Sequence, residues 1–104
     1  MKVILERVVS ASVTIADNKT AAIQNGFLIL AGFTHDDTET TVEKMAEKII
    51  NLRIMEDEDG KMNKMISETG GSILVVPQFT LYADTSGRRP GFQEAAKPDY
   101  AKKL

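Results

Sequence analysis

The run Pro77, Gln78, Phe79, Thr80, Leu81, Tyr82, Ala83, Asp84 carries the densest set of groups able to do chemistry. If a strand continues through it, Gln78, Thr80 and Tyr82 share one face and Phe79 and Leu81 take the other. A polar row of that kind, beside backbone N–H groups freed at a strand end, suits an ester, because ester hydrolysis needs donors aimed at the oxygen of the tetrahedral intermediate. The competing reading is an edge strand with a solvated polar face, and Pro77 supports it, since proline donates nothing to a ladder. Arg7 falls on an otherwise apolar strand face, where a guanidinium needs an acceptor or water; it is a structural ion pair or the orienter of a site. Arg88 and Arg89, between Gly87 and Gly91, are either charged forks for phosphate, with Lys97, Lys102 and Lys103 following, or a solvated surface. The acidic stretch from Glu56 to Gly60 evokes a calcium loop, but the first and twelfth ligand positions would be Met55 and Ile66, which excludes one. His35 is the single histidine and cysteine is absent, so no motif calls for a metal or a cofactor.

These groups need a frame. Odd positions from Val3 to Ile15 read Val3, Leu5, Arg7, Val9, Ala11, Val13 and Ile15, which predicts one long half-buried strand. A turn is expected over residues 16–20, a returning strand over residues 21–24, and a hairpin turn at Asn25-Gly26. Residues 27–31 form a continuous apolar run, consistent with a strand covered on both faces. Thr40 and Glu43 match a capping box, and Val42, Met45, Ala46, Ile49 and Ile50 then recur at helical spacing. A short strand is expected over residues 52–55, a turn at Asp59-Gly60, a break at Gly70-Gly71, an interior strand over residues 72–76, and a terminal helix over residues 93–104 interrupted or started by Pro98. Strands, helix, strand, loop and helix in that order predict an α+β domain on a largely antiparallel sheet.

Length and composition fit one such domain spanning residues 1–104: 42% of residues are hydrophobic and 27% charged. Without cysteine there are no disulfides, thiolate metal sites or thiol nucleophiles, which suits a reducing cytosol. The first apolar residues are interrupted at once by Glu6 and Arg7, and no run approaches a membrane span, so a cytoplasmic location without membrane contact is expected. Thirteen basic against fifteen acidic residues leave a formal charge of -2, so any nucleic-acid contact must come from a local patch.

The chain resembles the D-aminoacyl-tRNA deacylases, also called D-tyrosyl-tRNA deacylases. The likeness runs through Val3-Ile4-Leu5-Glu6-Arg7-Val8, Ala11-Ser12-Val13, Thr34-His35-Asp36-Asp37-Thr38, Lys48-Ile49-Ile50-Asn51-Leu52-Arg53-Ile54, Glu58-Asp59-Gly60-Lys61-Met62-Asn63, Gln78-Phe79-Thr80-Leu81-Tyr82-Ala83-Asp84 and Gly87-Arg88-Arg89-Pro90. It implies a barrel-like antiparallel core with an amphipathic helix packed on it, a cytosolic homodimer, and hydrolysis of the ester between a D-amino acid, or mischarged glycine, and the end of tRNA. The family's Ser-Gln-Phe-Thr signature maps onto Pro77, Gln78, Phe79 and Thr80, with proline in place of serine. By that resemblance the Phe79 and Thr80 amides hold the acyl end, Gln78 shapes the pocket, Arg7 supports it, and Pro77, Arg88 and Arg89 contact substrate. Thr80 has no histidine or lysine partner in sequence to activate it, which favours chemistry assigned to the substrate's own ribose 2′-hydroxyl, with the protein positioning and polarising, over a nucleophilic Thr80. The family's C-terminal segment and its Gly-Pro dipeptide, which excludes L-amino acids, have no counterpart here: Pro90-Gly91 has the reverse order. Weakened chiral discrimination is expected. The alternative is a noncatalytic tRNA- or nucleic-acid-binding, or merely self-associating, derivative of the same fold.

Overall fold

Exposed and half-buried side chains alternate in β1 (Lys2–Val8) as far as Glu6, the pattern breaks at the exposed Arg7, and it resumes in β2 (Ala11–Thr14). The computed structural model describes residues 1–16 and 20–104, and in it the long strand expected over residues 3–15 is two strands with different partners. β2 pairs antiparallel with β3 (Thr20–Ile23) in a separate ribbon. The turn expected between them centres on residues 17–19, which lie outside the described residues.

β4 (Gly26–Gly32) pairs antiparallel with β1, Lys2 opposite Gly32 and Val8 opposite Gly26. Asn25-Gly26 is therefore a corner between unpaired neighbours and not the expected hairpin turn. A Cβ on Gly26 would stand 1.8 Å from the Ser72 carbonyl oxygen, so glycine is required where the two backbones meet. Thr38 caps α1 (Glu39–Asn51): its hydroxyl accepts from the Thr41 amide and the Thr41 hydroxyl accepts from the Thr38 amide. That reciprocal pair replaces the box expected at Thr40 and Glu43.

After α1 the strand expected over residues 52–55 shrinks to β5 (Met55–Glu56), paired with β6 (Met62–Lys64) around a turn in which Gly60 has φ 75°. A short α2 (Ile66–Thr69) ends at Gly70, left-handed at φ 68°. β7 (Ser72–Pro77) then lies parallel to β4, with Phe27 opposite Ile73 and Ala31 opposite Pro77. The strand order β1-β4-β7 makes β4 central, which explains its unbroken apolar run. Three ladders are antiparallel and one parallel, an α+β arrangement.

Phe27, Ile29, Ala31 and Phe33 are buried with Ile49 of α1, and Val3, Leu5, Val42 and Met45 pack around them. The expected core is only partly closed: Ile50 is 48% and Val75 55% exposed, on either side of an apolar groove between helix and sheet. Behind β4, Asp37 is buried; it accepts from the Met1 ammonium and from the Thr34 amide, each at 2.8 Å. The Tyr100 hydroxyl donates to the Asp37 carbonyl, tying in α3 (Pro98–Lys103). The terminal helix begins at Pro98, because residues 92–96 are already bound to the end of β4: the Ala96 amide donates to the Phe33 carbonyl at 2.9 Å and Thr34 bridges to Ala95. Among the described residues no helix is long and apolar enough to cross a membrane.

Candidate active site

The parallel ladder carries one hydrogen bond past Pro77, from the Gln78 amide to the Ala31 carbonyl at 2.7 Å, and then the backbone coils. Phe79–Tyr82 is a single 3-10 turn. This corrects the strand expected through the segment: Gln78, Thr80 and Tyr82 do not form a row on one sheet face. The turn lies against Gly32, where an added Cβ would come within 3.0 Å of the Gln78 carbonyl oxygen and of the Leu81 Cβ. Lys2 closes its far end, donating to the Leu81 carbonyl at 3.3 Å with its ammonium 4.7 Å from the Tyr82 ring centroid. Burial, and secondarily the Asp37 charge, hold the Tyr82 phenol above its ordinary pKa.

A 3-10 turn leaves its first amides without partners inside the turn. Here the Gln78 amide is used by Ala31 and the Leu81 amide by Gln78, while the Phe79 and Thr80 amides have no acceptor among the described residues. Two adjacent unpaired donors suit a developing oxyanion. The Gln78 side-chain amide donates to the Thr80 hydroxyl at 2.5 Å. A neutral amide is no base, so Thr80 remains an unactivated alcohol.

Beside these amides opens a hollow of about 540 Å³, lined by Ala31, Gly32, Phe33, Pro77, Gln78 and Phe79 from the sheet end, and by Phe92, Ala95, Lys97, Pro98, Ala101 and Lys102 from the C-terminal segment. Its size lies in the range of small-molecule sites, roughly 300–1,000 Å³. Pro77 presents a ring to it, so this wall is apolar. The structure thus brings Pro77, Gln78 and Phe79 together on one hollow, with Thr80 beside it.

Arg7, Arg88 and Arg89, the three arginines expected at the site, stand apart from that lining. Arg7 is exposed, donates to the Ile54 carbonyl at 3.1 Å, and lies 3.9 Å from Glu56. It lines a different hollow, with Val8, Val9, Asn25 and Met55. Lys2 marks the site end of β1, and Arg7 is five residues further along, roughly 16 Å at strand rise. The buried strand position expected for Arg7 is corrected: its head is at the surface with acceptors. Arg88 and Arg89 are exposed on a loop closed by reciprocal hydrogen bonds between Asp84 and Gly91, at 2.7 and 2.8 Å. Asp84 also accepts from the Ser86 amide, which holds its carboxyl below the usual range.

Sequence reasoning passed over Phe92. Its ring meets Phe79 edge-on, centroids 5.1 Å apart and planes at 72°. No local pattern marks it, because the contact exists only once residues 92–96 are pinned to the end of β4.

Comparison with known proteins establishes the family. Residues 4–104 match the D-Tyr-tRNA(Tyr) deacylase family. The chain belongs to that family. It is 51% identical over 105 residues to the D-aminoacyl-tRNA deacylase of Bacillus pumilus, covering 100% of this chain and 71% of that protein. It is 50% identical over 102 residues to the D-aminoacyl-tRNA deacylase of Thermus aquaticus, covering 97% of this chain and 67% of that one. Among solved structures, the c-Myc DNA Unwinding Element Binding Protein superposes with a TM-score of 0.87 at 34% identity, over 99% of this chain and 70% of that chain. The chain spans about seven-tenths of the length of these relatives. No cis peptide bond occurs among its described residues.

Proposed function

We propose that the chain hydrolyses the ester of D-aminoacyl-tRNA, and of glycine mischarged on tRNA, releasing free amino acid and tRNA as a chiral proofreading step. Family membership supports the reaction, and the observation that carries the chemistry is the pair of unpaired amides at Phe79 and Thr80 beside the hollow. In this reading the acyl carbonyl oxygen takes hydrogen bonds from both amides as it becomes an oxyanion. A water molecule, oriented by the substrate's 2′-hydroxyl, attacks the acyl carbon, and its oxygen forms the new bond to that carbon as it gives up a proton. The bond from that carbon to the ribose 3′-oxygen breaks, and a proton passes to the leaving oxygen. Gln78 holds the Thr80 hydroxyl and shapes the pocket wall; Thr80 supplies its amide and not a nucleophile. No protein-bound metal or cofactor has a part in these steps.

Arg88 and Arg89 contact the RNA backbone from their exposed loop, as charged forks for phosphate. The chain works as a cytoplasmic homodimer, and a supporting role for Arg7 at the acyl end requires a second protomer, since within one chain it lines another hollow. The test is a matched pair of assays with D-tyrosyl-tRNA and L-tyrosyl-tRNA. Cleavage of the D-ester is expected, with the L-ester spared. Folded protein that binds tRNA and cleaves neither ester would replace this proposal with a noncatalytic binding role.

A further inference from the structure

His35 is the single histidine, and the ester chemistry gives it no part. It is exposed and absent from the lining of the hollow. Its ring pairs instead with the Gln93 carbonyl, Nε2 lying 2.6 Å from the oxygen. A carbonyl oxygen only accepts, so Nε2 carries the proton in this contact, in the neutral ring as in the charged one. His35 is thus a donor aimed at the stretch of chain that enters the hollow.

That stretch, residues 92–96, supplies Phe92 and Ala95 to the wall. Its C-terminal side is bound to the end of β4: the Ala96 amide donates to the Phe33 carbonyl at 2.9 Å, and the Thr34 hydroxyl donates to the Glu94 carbonyl. On its N-terminal side Gly91 is tied to Asp84. Between these anchors the Phe92 carbonyl is taken by the Ala95 amide, inside the stretch itself. Among the described residues His35 is the one group from outside the stretch that bonds to Phe92 or Gln93. Phe92 in turn meets Phe79 edge-on at 5.1 Å, and Phe79 is 57% exposed, so the Phe92 edge is a large share of what fixes its ring.

We infer that His35 is a positioning residue for the hydrolysis: its Nε2–H fixes Gln93, Gln93 fixes its neighbour Phe92, and the Phe92 ring sets Phe79, whose amide is one of the two donors to the oxyanion. The inference rests on the deacylase reading and adds to it a side chain that does not meet the substrate. It acts as a clasp on the wall of the site and not as a base or a metal ligand.

The test compares His35→Leu, which removes the donor, with His35→Gln, whose side-chain amide brings an N–H to a similar reach. His35 is exposed, so both variants keep the fold. In ¹⁵N-labelled His35→Leu the Ala95 amide should exchange with solvent about two- to tenfold faster, the worth of one hydrogen bond, and the Phe79 amide resonance should move. Amides of β4 and α1 should exchange as in the parent, which a general loss of stability would not allow. With D-tyrosyl-tRNA, kcat should fall about two- to tenfold and KM should stay within about twofold, because the Phe79 amide acts on charge that develops in the transition state. His35→Gln should restore the exchange, the Phe79 resonance and kcat to near the parent values. Unchanged Ala95 exchange or an unmoved Phe79 resonance in His35→Leu, faster exchange throughout the chain, an unchanged kcat, or a His35→Gln that behaves as His35→Leu would overturn the role. The two readings fail separately. A parent chain that cleaves no ester removes the proposed function while Ala95 and Phe79 still score the clasp; a parent that cleaves, with both amides unaffected in His35→Leu, removes the clasp and leaves the function standing.

Discussion

Gly32→Ala places a methyl group between the central strand and the 3-10 turn that carries the unpaired amides. The added Cβ would stand 3.0 Å from the Gln78 carbonyl oxygen, 3.0 Å from the Leu81 Cβ and 3.3 Å from the Tyr82 Cδ2. Ordinary contact needs a few tenths of an ångström more at each. Leu81 and Tyr82 can yield by small rotations, but the Gln78 carbonyl cannot move alone, because the amide of the same residue is held to Ala31 at 2.7 Å. The peptide joining Gln78 to Phe79 must tilt, and the Phe79 amide tilts with it. Overpacking of this kind costs about 1–3 kcal/mol, which in a domain of this size lowers Tm by roughly 5–15 °C. Misplacing a reacting group by about 1 Å costs on the order of a hundredfold in rate, so a shift of a few tenths should cost roughly three- to tenfold in kcat/KM. Both are measurable on one preparation: thermal unfolding by circular dichroism, and D-tyrosyl-tRNA hydrolysis well below the lowered Tm. A variant that unfolds within a degree of the parent and hydrolyses at the parent rate would show that the turn does not rest on Gly32 and that its amides are not placed by it.

Other expectations follow from single contacts. Asp37→Asn leaves the buried Met1 ammonium without its counter-charge and should cost about 3 kcal/mol, seen as a fall in Tm of more than about 10 °C; an unchanged Tm would mean that the pair is solvated. Thr80→Ala removes only a hydroxyl that accepts from Gln78, so kcat/KM should fall about fivefold, and a loss of about a thousandfold or more would make Thr80 the nucleophile after all. Tyr82 should titrate above the ordinary tyrosine value, followed by absorbance at 295 nm against Tyr82→Phe. Because its folded pKa is raised, its contribution to stability is full below the unfolded value near 10 and is lost as pH rises through the folded value; an ordinary titration in the folded protein would contradict its burial beside Asp37.

Much of the frame was legible in the residues, and the illegible parts share a cause. The apolar run of residues 27–31 and the helical spacing from Val42 to Ile49 are signals of burial, and burial is what β4 and α1 experience. Gly70 and Pro98 mark element ends by their own backbone limits, independent of tertiary context. The 3-10 turn at Phe79 is different. It depends on the missing Cβ of Gly32 and on Lys2, far away in sequence, and a window of neighbouring residues that alternates in polarity reads as a strand. Asn25-Gly26 has the composition of a hairpin, but β4 has partners on both sides in β1 and β7, and those ladders leave no room for β3 beside it. Strand parity put Arg7 on the inner face; the face ends there, and its head reaches the Ile54 carbonyl.

The site was half visible in the same way. Gln78, Phe79 and Thr80 stand out as a contiguous motif, and the resemblance gave them a role. Phe92, Lys97 and Lys102 come to the hollow through the Ala96 to Phe33 and Ala95 to Thr34 links, which a single sequence does not announce. Chemistry carried by backbone amides is also silent in sequence, since every residue but proline has one; what distinguishes Phe79 and Thr80 is that no acceptor among the described residues claims theirs.

The most direct measurement follows the amide protons of Phe79 and Thr80 while the chain is titrated with an adenosine carrying D-tyrosine through a 3′-amide, which resists hydrolysis. Both protons should move downfield together and saturate, with the largest displacements in the chain. Saturation recorded at other residues while these two stay still would contradict an acyl end held by main-chain donors.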